Sequence, residues 1–123
     1  MPDKVYRTAI YCRLSREDGD KVESNSIASQ RAICEDYIAK HDDLELVCEP
    51  FVDDGYSGVS FNRPQFKKLE EAIRKGALDC IVVKDLSRFS RNYIDGGRYI
   101  EKIFPQLGIR FIAINDAYDS LTG

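Results

Sequence analysis

The sequence predicts an α/β fold: three layers, with a largely parallel sheet of four or more strands carrying helices on both faces. Three observations lead there. Short apolar segments alternate with segments of helical period in the order β-α-β-α-β-α-β. Each strand-like segment is followed by a polar stretch suited to a loop, as in open α/β sheets whose sites gather beyond the strands' carboxyl ends. The chain has 123 residues and neither internal repeat nor linker, which suits one domain over 1–123, since roughly 100–150 residues is the commonest domain size.

Val5 to Arg13 reads as the first strand, and Ser26 to His41 as the first helix, with Ile27, Cys34, Tyr37 and Ile38 at helical spacing after the capping stretch "ESNS". "LELVCEPFV" reads as one second strand, and "DDGYSGVSFNR" as the loop that follows it. Pro64 suits a first helical turn, Phe66, Leu69 and Ile73 mark one face, and Gly76 closes that helix. "DCIVV" is short, apolar and β-branched, as a strand buried on both sides should be. A third helix is expected to carry Tyr93, Gly97, Ile100, Phe104 and Leu107 on one face and to stop near Pro105 and Gly108; "IRFIAIN" closes the series as a fourth strand.

Hydrophobic residues make up 43% and charged residues 32%, and no apolar run approaches the roughly 18 residues of a membrane span. The chain therefore reads as soluble. "MPDKVYRTAIYCR" lacks the pattern of a signal peptide, so a cytoplasmic location is expected. Cys12, Cys34, Cys48 and Cys80 are widely spaced with no CxxC pair and read as reduced core thiols. A net charge of -3 excludes a domain that grips DNA over a large basic surface. The charge is uneven, however. Glu35 to Asp54 holds eight acids and one base, whereas Arg63 to Lys102 holds ten bases and six acids, so an anionic partner should meet the second region.

In "IYCRLSRED", period-2 alternation would send Tyr11, Arg13 and Ser15 to one side. Read alone, this is a strand ending in a polar loop; the sharper reading is Ser15 as a nucleophile aimed at a phosphate. The loops after the other strands add Arg63, at a helix amino terminus, and Arg88 and Arg91, three residues apart. Guanidinium stays charged and offers a planar donor fork that matches phosphate oxygens, so four of them at strand ends suit a phosphoryl transition state. The single histidine, His41, lies at a helix end far from Ser15 in sequence, against a Ser-His-Asp triad. Asp53 and Asp54 are adjacent and would point opposite ways, and Asp116 and Asp119 are isolated, so no metal or other cofactor site is evident.

The ordered set "YCRLS", "SIASQ", "DDGYSGVSFNRPQF" and "VVKDLSRFSRN" resembles the catalytic domain of serine recombinases, the resolvase and invertase family. Each motif is weak alone; the series covers nearly the whole chain and is most similar to large serine recombinases of transposons in clostridia-like bacteria. The resemblance implies a resolvase-like sandwich and an enzyme of site-specific DNA recombination. Ser15 would attack a DNA phosphodiester, giving a 5′-phosphoserine link and a free 3′-hydroxyl, with no metal and no nucleotide cofactor. Carried over by position, Arg13, Arg63, Arg88 and Arg91 are the phosphate-binding and catalytic arginines, and Tyr11 and Gln30 support them. Ser26 aligns with a serine of the site, though helix capping explains it equally, and Gly58 would serve the bend in "YSG".

The chain departs from the small resolvases where they place an aspartate directly before the first arginine of the pair: Ser87 stands there. Asp85, two residues earlier, is a candidate substitute or simply a solvated strand-end acid, and the general base and acid stay unassigned. The family's partners are double-stranded DNA and further copies of the protein, in dimers and a synaptic tetramer, with no membrane and no small-molecule substrate. Its catalytic domain precedes a long dimerisation helix and DNA-binding domains, so residues 1–123 are expected to be a catalytic core that is inactive in isolation. Two rivals stay open: a non-catalytic phosphate-binding module of the same fold, and a phosphatase or nuclease with a serine nucleophile.

Overall fold

A computed structural model describes residues 4–15 and 26–121. The sheet has six strands: β1 (Tyr6–Leu14), β2 (Leu44–Leu46), β3 (Phe51–Asp54), β4 (Cys80–Val83), β5 (Arg110–Ala113) and β6 (Tyr118–Asp119). The spatial order is β2-β1-β4-β5-β6, with β3 pairing β1 beyond β2. All pairings are parallel except that of β5 with β6. The expected α/β architecture is the observed one.

Alternation along β1 decides which layer receives each side chain. Ala9 and Tyr11 enter a core with Phe66, Leu69, Phe89, Phe104 and Phe111. Ile10 and Cys12 face the other way, against Cys34, Ile38, Val82 and Ile112. The second layer belongs to α1 (Ile27–Ala39), the first to α2 (Pro64–Arg74) and to a helical run from Tyr93 to Gln106. The strands β4 and β5 are buried at every position, as "DCIVV" predicts for a central strand.

Three expectations need correction. The second strand is two strands: five positions separate Leu46 from Phe51, whereas their partners Thr8 and Tyr11 are three apart. Pro50 has no N–H for a ladder, and an excursion of two extra residues preserves the side-to-side alternation. The third helix is α4 (Tyr93–Arg98), one π-helical turn (Tyr99–Ile103) and α5 (Phe104–Gln106). The extra residue of a π turn rotates its two ends by roughly 100° relative to a regular helix. Tyr93 is accordingly 95% exposed while Phe104 is buried, and Leu107, past the helix end, is exposed. Cys48, expected in the core, is exposed; Cys12, Cys34 and Cys80 are buried free thiols. Burial pushes Cys12 and Cys80 up to about 12, which keeps them protonated.

Local signals hold at the helix ends. Ser26 caps α1 by accepting the Ser29 amide, Pro64 opens α2, and Gly76 follows it at φ +78°, a conformation that favours glycine. His41 is half-buried; its Nδ1 lies 2.7 Å from the Tyr37 carbonyl and its ring stacks on Tyr37.

Candidate active site at the carboxyl end of β1

Three loops meet where β1 ends: Leu14–Ser15, Gly55–Arg63 after β3, and Lys84–Asn92 after β4. The register carries β3 to the tip of β1, pairing Arg13 with Asp53 and Leu14 with Asp54. The Leu14 carbonyl then accepts the amides of Gly55 and Tyr56. Ser15 follows directly and is buried. Arg16–Asp18, the rest of the first loop motif, lie outside the described residues.

Three of the four arginines meet at Gly58, and the fourth, Arg88, joins them through Arg13. The Gly58 carbonyl accepts the Arg91 amide at 2.7 Å and Arg63 Nη2 at 3.2 Å. A Cβ on Gly58 would sit 2.7 Å from Arg13 Nη2 and from Arg91 Cγ and Cδ. The chain turns at Gly58 as expected, but since its φ is not positive it is the close approach of side chains that requires glycine. Arg13 and Arg88 are reciprocally bonded: Arg13 Nε donates to the Arg88 carbonyl and Arg88 Nη1 to the Arg13 carbonyl, both at 3.1 Å.

The arginines differ in exposure. Arg13, Arg63 and Arg88 are buried, and Arg91 is exposed beside an open groove of about 520 Å³ that Ser87, Asn92, Tyr93 and Gly96 also line. Arg88 lies in the short helix α3 (Leu86–Phe89), which ends before Arg91, so the two do not share the helical face their spacing allows. Arg13 also donates to the carbonyls of Tyr56 and Ser87, at 2.9 and 2.6 Å. Arg63 donates to Ser57, Ser60, Phe89 and Gly58 carbonyls and to the Tyr11 hydroxyl. All five of its acceptors are neutral oxygens, and Phe61 lies under its guanidinium at 4.7 Å. A buried cation without a direct carboxylate partner raises the local potential, which favours an anion.

Aspartates stand one group behind. The Tyr11 hydroxyl accepts from Arg63 Nη1 at 3.3 Å and donates to Asp53 at 2.8 Å. Burial pushes the Tyr11 pKa up, Arg63 lowers it and Asp53 raises it further; the net rise keeps the phenol a proton donor. Asp53 also accepts the amides of Gln65 and Phe66, both at 2.9 Å. It thereby caps α2, whose own N-cap residue, Arg63, makes no capping bond through its side chain. In the β4 loop, Ser87 donates to Asp85 and accepts from Arg88 Nη2 at 3.1 Å. Asp85 also caps α3 by accepting the Arg88 amide; it is half-buried and engaged rather than solvated. Gln30, fully buried on α1, bonds both backbone groups of Arg13. Ser26 caps the same helix.

The structure therefore gathers Tyr11, Arg13, Ser15, Gln30, Arg63, Asp85, Ser87, Arg88 and Arg91 at one end of the sheet. Sequence reasoning missed Asp53; the signal was its place at the end of an apolar strand, eleven residues before a helix that starts with proline and has no side-chain cap of its own. Among the described residues, no group of three or more His, Cys, Asp or Glu side chains converges to hold a metal ion, and no helix is long and apolar enough to cross a membrane.

Such a fold, with a serine and arginines gathered at the strand ends, defines a class of α/β domains with a cationic site beyond the sheet. The chain belongs to the family described as Resolvase, N terminal domain, whose profile matches residues 8–123. It is similar to the N-terminal catalytic domain of TP901-1 integrase, with 29% identity and a TM-score of 0.79 over 94% of this chain and 82% of that one. A resolvase family site-specific recombinase from Streptococcus pneumoniae matches with 28% identity and a TM-score of 0.77, over 98% of this chain and 78% of its own. A candidate DNA recombinase of Bacillus subtilis (strain 168) is 31% identical over 110 residues. That match covers 89% of this chain and 21% of the relative, so the chain spans about a fifth of that curated relative's length.

Proposed function

We propose that this chain is the catalytic core of a site-specific DNA recombinase that cuts and rejoins double-stranded DNA through Ser15. The observation that carries the reading is the meeting of Arg13, Arg63 and Arg91 around Gly58, with Arg88 bonded to Arg13, at the end of the strand that leads into Ser15. In the cleavage step the Ser15 oxygen bonds to phosphorus, the bond to the 3′-oxygen breaks, the hydroxyl proton leaves Ser15, and the departing 3′-oxygen takes up a proton. Rejoining is the reverse, with a 3′-hydroxyl attacking the phosphoserine ester. Ester exchange conserves the bond, so the reaction needs neither nucleotide nor metal.

Arg88 and Arg91 bind the phosphate and its transition-state charge. Arg13 and Arg63 contribute their buried charge and fix the loops that present the site. Tyr11, Gln30, Ser26, Asp85 and Ser87 position this machinery. The protein acts in the cytoplasm as dimers that join in a synaptic tetramer, and isolated residues 1–123 do not cleave.

The test is full-length protein on a nicked suicide duplex, with the adduct mapped by mass spectrometry. A covalent 5′-phosphoryl link at Ser15, unaffected by chelator and lost in Ser15→Ala, is the expected result. Release of inorganic phosphate would indicate a phosphatase, chelator-sensitive cutting a metal nuclease, and binding without covalent capture a phosphate-binding module.

A further inference from the structure

The site contains the same device twice: an arginine joined to an aspartate through one interposed hydroxyl. On β1 the series runs from Arg63 Nη1 to the Tyr11 hydroxyl to Asp53. On the β4 loop it runs from Arg88 Nη2 to the Ser87 hydroxyl to Asp85 Oδ1. The second series is compact: Ser87 Oγ also accepts Arg88 Nε at 3.3 Å, and Arg88 Nε forms an ion pair with Asp85 at 3.7 Å that is too long for a hydrogen bond. Two unrelated elements arrive at one arrangement, which points to a common requirement.

That requirement follows from what an arginine must do beside an anion. A bidentate carboxylate would hold the guanidinium well but would take up the donor fork that a phosphate needs. A hydroxyl, being donor and acceptor at once, accepts from the guanidinium and passes its own proton to the carboxylate. The guanidinium is then oriented through a hydroxyl that the aspartate itself holds in place.

We propose that Ser87 is a positioning residue whose hydroxyl couples Asp85 to Arg88, holding that guanidinium in its working orientation. The inference rests on the reading that Arg88 serves the phosphate. It gives Asp85 a task that requires no proton transfer, and makes serine at position 87 a functional choice.

The experiment is single-turnover cleavage by the full-length protein with Ser87→Ala, Ser87→Thr, Asp85→Asn and the Ser87→Ala/Asp85→Asn double variant. Asparagine caps helices as well as aspartate does, so Asp85→Asn retains the α3 cap and isolates the loss of charge. Ser87→Ala should slow cleavage about tenfold with DNA affinity changed less than about twofold, as expected for coupling within one hydrogen-bonded group. Ser87→Thr, which restores the hydroxyl, should recover at least about a third of the lost rate, and Asp85→Asn should slow the Ser87→Ala protein much less than it slows wild type. A wild-type rate for Ser87→Ala, no rescue by threonine, or fully additive effects in the double variant would each overturn the proposal. Ser15→Ala and Arg88→Ala run in the same assay separate the two levels. Cleavage surviving in either removes the underlying reading, whereas loss in both beside a wild-type rate for Ser87→Ala removes this inference alone.

Discussion

Gln30 and Arg13 clasp each other through backbone and amide: Arg13 N donates to Gln30 Oε1 at 3.2 Å, and Gln30 Nε2 donates to the Arg13 carbonyl at 3.0 Å. The side-chain amide replaces a neighbouring strand. On that flank β4 pairs with β1 only as far as Ile10, so the peptide groups of Arg13 need other partners. Gln30→Ala should destabilise the fold by about 2 kcal/mol, because a buried N–H loses its acceptor. Urea titration reads this loss, and an unchanged midpoint would show that water replaces the amide at no cost.

Gly58→Ala should separate folding from catalysis. The new methyl meets side-chain atoms of Arg13 and Arg91, not backbone. Arg91 is exposed and can swing aside, but Arg13 is buried and bonded to three carbonyls, so the stability loss should be about 1–3 kcal/mol, as for overpacking. Displacing catalytic guanidiniums should also slow cleavage on the order of 10²-fold. Thermal unfolding with single-turnover rates checks both halves; a wild-type rate beside that stability loss would place Gly58 in the fold alone.

Asp53→Ala removes the carboxylate from three donors at once, the Tyr11 hydroxyl and the amides of Gln65 and Phe66. The expected cost is about 3 kcal/mol, a lost helix cap plus an unsatisfied buried hydroxyl. Asp53→Asn can accept as before at only one oxygen and should lose less. Denaturant unfolding of both variants orders them, and an alanine variant as stable as wild type would refute the cap.

Far from the site, Asp79 holds the start of β1. The Arg7 side chain donates to its carboxylate at 2.8 and 3.1 Å, and the Arg7 amide donates at 3.0 Å. Hydrogen bonding to the Arg7 side chain is the main cause that lowers Asp79 to about 2, from an ordinary 3.8. A carboxyl depressed on folding stabilises the native state above its unfolded value, and that contribution is lost as pH falls through the folded one. Stability should therefore drop between about pH 4 and pH 2, less steeply in Asp79→Asn. Parallel urea midpoints for the two proteins across that window would discount the pair.

What was legible in the sequence was local. The element order, the Ser26 cap, the proline opening α2 and the glycine closing it depend on residues within a turn of one another. The arginines and Ser15 could be assigned to strand ends because β-α alternation fixes where loops fall. Contacts set by the third dimension were not legible. Asp53 caps a helix that starts eleven residues downstream only because β3 delivers it there, and the two-residue excursion before β3 appears only against β1. The short β6 carries no periodic signal in two residues, and the π turn breaks the period by which the third helix was read. Nor does sequence distinguish an arginine bonded to carbonyls beneath a surface from one that projects out of it.

The carbonyl acceptors of Arg13 and Arg63 bear on how such a domain can vary. Tyr56, Ser57, Ser60, Ser87 and Phe89 offer these guanidiniums main-chain oxygen, an atom that every amino acid carries. Drift at Tyr56, whose ring is exposed, leaves its bond to Arg13 intact so long as the backbone keeps its path. The arginine end has no such latitude, since no other side chain supplies five donors from one plane. Tolerance in this site is thus lopsided: a library randomised at position 56 should retain many active members, and one randomised at position 63 should collapse to arginine.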